Sequence, residues 1–211
     1  MMTEKKKSFK GGIRNKTRSQ EKLIDSIGEI LGRMSYADLN MGTVRNIANL
    51  NPKLIYLYFE NFEGLIDAFL RRKETQKANA RTLAKHMSAI PEQVLDEDIF
   101  SLLETHFDEI MQDPEWKGLL HWGLSAKNSQ VSPLVQQHTA TLAVVIEILQ
   151  KNKKLEENMD PVCYALLAAG MTFIAINSRV EGAKLLGLDL NCANTQKRFK
   201  EVVEKILIKD S

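Results

Sequence analysis

The sequence predicts an all-α protein, long enough at 211 residues for one sizeable core plus a small satellite domain. Three observations lead there. Each of the five prolines stands where a helix can start: Asn51-Pro52, Ile90-Pro91, Asp113-Pro114, Ser132-Pro133 and Asp160-Pro161. In four of these, Asn, Asp or Ser precedes the proline and can accept from first-turn N–H groups, while proline lacks the N–H that would be orphaned there. From Leu23 to Met34, apolar residues recur at helical intervals. No period-two pattern competes except "TLAVVIEIL" at 141–149, which lies in a proline-free run from Pro133 to Lys151 and therefore reads as buried helix.

Residues 1–17 form a basic arm. "EKKKSFKGGIRNKTR" sets Lys5, Lys6, Lys7, Lys10, Arg14, Lys16 and Arg18 against Glu4 alone. Residues 1–60 hold eleven Lys/Arg and six Asp/Glu, whereas residues 61–211 hold eighteen and twenty-one, so the positive charge sits in front. Such an arm attracts phosphate by counterion release, and it would serve equally as a solubilising tail.

The first helix is expected from Thr17, which has capping-box spacing to Gln20; Leu23, Ile24, Ile27, Ile30, Leu31 and Met34 form its core stripe. After "SYADLN", Asn40 can cap a second helix, "MGTVRNIA", with Met41, Val44 and Ala48 inward. "NLN" makes a tight turn and Asn51-Pro52 opens a third helix, which together is helix-turn-helix spacing. At about 100° per residue, Ile55 and Phe59 share the inner side with Pro52, Lys53 and Leu57 point away, Leu54 and Tyr56 flank them, and Tyr58 sits near the edge. An outward surface of Lys, Tyr and Leu suits a DNA major groove. It would also suit a helix buried in a larger bundle, or a protein partner.

The residues from Arg18 to Leu65 resemble the DNA-binding domain of the tetracycline-repressor (TetR) family, whose motif runs roughly T-x-x-x-I-A-x-x-A-G-V-x-x-x-x-L-Y-x-Y-F. Asn40 stands for the capping Thr, Val44 for Ile, Leu50 for Val and Ile55 for Leu, while Tyr56, Tyr58 and Phe59 match. Arg45 occupies a place usually small, Asn49 stands for the turn glycine, and Phe62 sits where a phosphate-contacting Lys is frequent. Asn tolerates left-handed backbone. The resemblance implies a helix-turn-helix DNA-binding domain at 18–64 and an effector-binding and dimerisation domain at 65–211. On this reading the partners are double-stranded operator DNA, a second copy of the chain, and a small-molecule effector. The DNA-contact candidates are Asn40, Thr43, Arg45, Asn51, Lys53, Leu54, Tyr56, Leu57 and Tyr58, with Arg14, Lys16 and Arg18 from the arm.

Beyond Leu65, residues 62–87 read as one long connecting helix, and further helices are expected near Asp96, Asp113, Ser132, Asp160 and Asn194. "PVCYALLAAGMTFIAINS", 161–178, carries no charge. It is barely long enough for a membrane span and contains Thr172, Asn177 and Ser178, so a buried helix is expected instead. In the resembled family the last two long helices, here about 161–181 and 195–208, build a four-helix subunit contact; Ala165, Ala169, Thr172 and Ile176 are its candidates.

Catalytic signatures are missing from the sequence. It has no Gly-rich phosphate loop, CxxC or HExxH, and His86, His106, His121 and His138 match no short metal motif, so no cofactor, metal or enzymatic activity is expected. Two cysteines in 211 residues argue against a disulfide scaffold, and no apolar stretch follows the N-terminal lysines, which together point to the cytoplasm. A ligand-released regulator needs a cavity. Phe100, Leu103, Phe107 and Met111 on one stripe, then Trp116, Leu120, His121 and Trp122, with Asn177 as a polar partner, are the candidates for holding an apolar or aromatic effector; core filling is the competing role for the same side chains.

Overall fold

The computed structural model describes residues 10–76 and 79–208, without the side chains of residues 10–14, 156 and 158. Lys5, Lys6 and Lys7, and the side chains of Lys10 and Arg14, lie outside the described residues. The described chain is almost entirely helical: α1 (Lys10–Arg33), α2 (Met41–Ala48), α3 (Lys53–Phe59), α4 (Phe62–Gln76), α5 (Asn79–Ala89), α6 (Asp96–Met111), α7 (Pro114–Ser125), α8 (Ser132–Lys151), α9 (Lys153–Asn158), α10 (Pro161–Asn177) and α11 (Ala193–Leu207).

Local capping explains most of these boundaries. Asn51 accepts from the Lys53 N–H at 2.9 Å, Asp113 from Trp116 at 3.0 Å and Asp160 from Val162 at 2.6 Å, so three of the Asx-Pro signals act as expected. Ser132 does not cap. Asn128 accepts from the N–H groups of Gln130 and Val131 just ahead of α8, and the Ser132 hydroxyl donates to the Asn128 carbonyl. Pro91 opens only a 3-10 turn, Pro91–Gln93. "TLAVVIEIL" lies within α8.

Two expectations change. The described part of α1 begins at Lys10, so Thr17 and Gln20 lie within it; a capping pair marks a start only where the preceding backbone leaves the helix, and no proline forces that here. Met34 falls beyond the end of α1 and is 45% exposed. The segment 62–87, expected as one long helix, is described as α4 and α5, and its junction at residues 77 and 78 lies outside the described residues. A small antiparallel hairpin, β1 (Lys184–Leu185) with β2 (Leu188–Asp189), was not foreseen. Its turn residues, Leu186 at φ 51° and Gly187 at φ 87°, are both left-handed, and "LG" lacks the Asn-Gly or Asp-Gly signal for such a turn.

One continuous core runs through both parts, and Phe69, Phe107, Trp116 and Tyr164 are its largest buried members. Within it α1 packs on α2, α4 and especially α7. That last contact is close because Gly118 has no side chain: a Cβ there would overlap the Leu31 carbonyl. Gly28 of α1 likewise lies against the Glu115 carboxylate. Beside this seam the buried Lys73 of α4 pairs with Asp113 at 2.9 Å and Glu115 at 2.6 Å. The C-terminal helices wrap α6, which touches α5, α10 and α11.

Candidate nucleic-acid interface and open cavity

The helix-turn-helix is held by short-range polar bonds. Asn40 accepts from the N–H groups of Gly42 and Thr43, both at 3.0 Å, and so starts α2. Asn49 ends it at φ 51°, ψ 47°, the left-handed backbone expected where the resembled motif has glycine. After α3, Glu60 is also left-handed at φ 69°, and Asn61 accepts from Gly64 at 2.7 Å to start α4. Gly64 itself is needed because a Cβ would overlap the Phe59 carbonyl.

These turns aim α3 as its angles suggest. Ile55 is fully buried, whereas Tyr56 and Leu57 are 57% and 71% exposed, with Lys53 and Asn51 exposed beside them. Leu54 and Tyr58 are half-buried and pack against the core, so they belong to the flank of this surface. The Tyr56 hydroxyl donates to the Met41 sulfur at 3.7 Å, which ties its ring to α2. Lys16 lies 5.8 Å from the centre of the Tyr58 ring, so the N-terminal part of α1 reaches the same surface. Arg18, Arg45 and Asn40 are exposed and Thr43 is half-buried.

A cavity of about 650 Å³ opens between α7, α8 and α10. Leu124, Leu142, Ile146, Phe173 and Ile176 give it an apolar wall, and Ala143, Ala165, Ala168 and Ala169 leave the room. His121, His138, Thr139, Tyr164, Thr172 and Asn177 are its polar members. Of the nine residues considered for a ligand, His121 and Asn177 line this cavity. Leu103, Phe107, Trp116, Leu120 and Trp122 are core side chains, and Phe100 and Met111 are half-buried against the same core. Bulky aromatic side chains fill space, whereas small ones leave it, and this is why the aromatic stripe does not mark the cavity. The row Thr139, Ala143, Ile146 on α8 was the overlooked signal.

Of the four subunit-contact candidates, Ala165 and Ala169 are exposed. Thr172 and Ile176 turn inward: the Thr172 oxygen lies 3.3 Å from His106 Nε2, and Ile176 is only 4% exposed. The outward side of α10 also carries Val162, Leu166 and Phe173, at 66%, 70% and 54% exposure, and α11 turns out Val202 and Ile206.

Two imidazoles stack at the cavity's inner end, His106 on His138, with ring centres 4.1 Å apart and the Trp116 ring edge-on to His138. Burial holds the His106 pKa well below the ordinary range, with the neighbouring His138 adding to it. His138 is pushed down to about 4, first by burial and then by Arg81. Burial and then Arg179 lower His121 as well. All three rings are therefore neutral at pH 7. His121 also lies 5.7 Å from the Tyr36 ring, which stacks on Trp122, so a cavity residue touches the loop between α1 and α2. Among the described residues, no group of three or more His, Cys, Asp or Glu is placed to hold a metal, and no helix is long and apolar enough to cross a membrane.

Comparison of the sequence with protein-family models and with curated proteins gave no match. The solved structures do contain similar folds. The fatty acid degradation regulator FadR from Bacillus halodurans is similar over 90% of this chain and 99% of its own, at 15% identity and a TM-score of 0.54. A TetR family protein from Vibrio parahaemolyticus is similar over 90% of this chain and 98% of its own, at 14% identity and a TM-score of 0.46. The chain has an all-α fold similar to that of FadR.

Proposed function

We propose that the chain is a sequence-specific DNA-binding transcriptional regulator of the cytoplasm rather than an enzyme. On this reading it is a homodimeric repressor that a small molecule releases from a near-palindromic operator. The observation that carries it is the outer side of α3, where Asn51, Lys53, Tyr56 and Leu57 stand exposed together on a helix whose opposite side is locked by Ile55. An ammonium, a phenol and an aliphatic side chain on a helix-turn-helix can contact phosphate, base edges and thymine methyls respectively. Lys16, Arg18 and Arg45 are exposed nearby to hold the phosphate backbone. Outward Val162, Leu166 and Phe173 on α10, with Val202 and Ile206 on α11, supply the apolar surface that a second copy would cover. A two-fold dimer would present its two α3 helices to half-sites about one helical turn apart, roughly 34–36 Å. The cavity is the site for the releasing molecule.

Selection of bound sequences from random double-stranded DNA by the purified full chain tests the reading. A recovered near-palindrome, bound less tightly as salt rises, is the expected result. If no sequence is enriched, the reading fails, and a protein partner for α3 becomes the better account.

A further inference from the structure

The cavity's chemistry narrows what can enter it. None of its lining residues is Lys, Arg, Asp or Glu. Its hydroxyl donors are already spent on neighbouring helix backbone: Thr139 donates to the Val135 carbonyl at 3.1 Å, Tyr164 to Leu142 at 3.0 Å and Thr172 to Ala168 at 2.8 Å, while one N–H of the Asn177 amide goes to Phe173 at 2.8 Å. What the hydroxyls keep for a ligand is acceptor capacity, to which the Asn177 carbonyl oxygen adds. A carboxylate or phosphate settling on this wall would shed part of its water and find no cation there, only neutral imidazole and amide groups. A cation would gain no counter-charge and would sit in the positive potential with which Arg179 and Arg81 act on His121 and His138.

Resting on the ligand-release reading, we propose that the cavity takes an uncharged, mainly apolar molecule that brings its own hydrogen-bond donor, an aliphatic alcohol or a phenol being the simplest form. The volume, about 650 Å³, is in the range of small-molecule sites. The alanines along one side of α10 admit a slender chain, and the neutral acceptors fix its hydroxyl end.

Three probes of equal length decide it: 1-decanol, decanoate and decylamine, each titrated at pH 7.5 into the full-length protein by calorimetry and by thermal shift. Ala143→Phe is the blocking variant, since Ala143 lines the cavity yet is exposed, so enlarging it fills the site without disturbing the core. Decanol is expected to bind about tenfold or more tightly than either charged probe, because an unpaired buried charge costs at least that factor. Ala143→Phe should weaken decanol by a similar factor while its circular dichroism stays that of wild type. Decanoate or decylamine binding as tightly as decanol, in a manner that Ala143→Phe abolishes, overturns the proposal. Decanol binding that ignores Ala143→Phe, or no binding of any probe, overturns it too. Decanol that binds as expected but leaves affinity for the selected operator unchanged upholds the ligand class and removes the ligand-release reading.

Discussion

Helices α3 and α10 pose the same problem and answer it differently. Each carries more apolar surface than one side can bury. In the seven residues of α3, Ile55 goes inward while Tyr56 and Leu57 stay out, interleaved with Lys53 and next to Asn51. In the seventeen residues of α10, Tyr164, Ala168, Met171 and Ala175 go inward while Val162, Leu166 and Phe173 stay out, with no charged side chain anywhere along the helix. Exposed apolar residues mixed with a cation and a phenol suit a wet, polyanionic partner. The uncharged surface suits another apolar surface, since a charge buried in a subunit contact without a partner is costly. The kind of polar residue between the apolar ones therefore separates the two surfaces better than the amount of apolar area does.

The largest expected effect breaks the α10 side. Leu166→Glu places a carboxylate on the outward apolar surface and should weaken self-association by about a hundredfold or more, roughly 3 kcal/mol or above, and operator binding with it. Sedimentation velocity and gel-shift titration check both; an unchanged dimer would remove α10 from the subunit contact. Next comes the inner side of α3. Ile55→Ala empties a fully buried position and should lower stability by about 2–4 kcal/mol, read by urea melts.

The outer side of α3 should give the reverse pattern. Tyr56→Ala is expected to leave the melt unchanged within error and to weaken operator binding by about 1–3 kcal/mol, and Lys53→Ala should reduce the salt slope of binding by about one. If Tyr56→Ala and Ile55→Ala behave alike, the two sides of α3 are not distinct.

The smallest expected effect concerns the inner side of α10, where Thr172 meets His106 and the stacked His138. His138 has its folded pKa lowered from 6.5 to about 4. As pH falls below 6.5 the unfolded chain binds a proton that the folded chain refuses, so stability is full above that pH and declines toward pH 4. At pH 5.5 the loss from His138 should be about 1 kcal/mol relative to pH 7.5, and His138→Gln should remove that part of the slope. Urea melts at the two pH values check it; a wild type as stable at 5.5 as at 7.5 would mean that His138 is not held neutral.

The helices and the turn of α3 were legible because their signals are local. Asx-Pro caps, a left-handed Asn49 and about 100° per residue all act within a few positions, so Ile55 inward and Lys53 outward could be read from the chain alone. The cavity was not legible, because it depends on how far apart α7, α8 and α10 run. Small side chains permit either close helix approach or an empty space. Ala165 and Ala169 read as close-packing residues, yet both line the gap, while Phe107 and Trp116 read as pocket walls and turn out to plug the core. Neither sequence spacing nor hydropathy contains the distance between helices that decides which occurs.

The glycine seam between α1 and α7 has a consequence for anyone hoping to recombine this protein. The expected division at residues 64 and 65 invites a chimera that moves the first three helices onto the C-terminal domain of another regulator. Gly118 makes that cut unsafe. Leu31 and Gly28 fit α7 only because Gly118 lacks a side chain and Glu115 takes the place beside Gly28. A recipient with any larger residue at the position facing Leu31 would push α1 outward and tilt α3 with it. Grafting is expected to succeed when α7 travels with the first three helices, or when the recipient offers glycine at that place, which makes a single methyl group the gatekeeper of modularity.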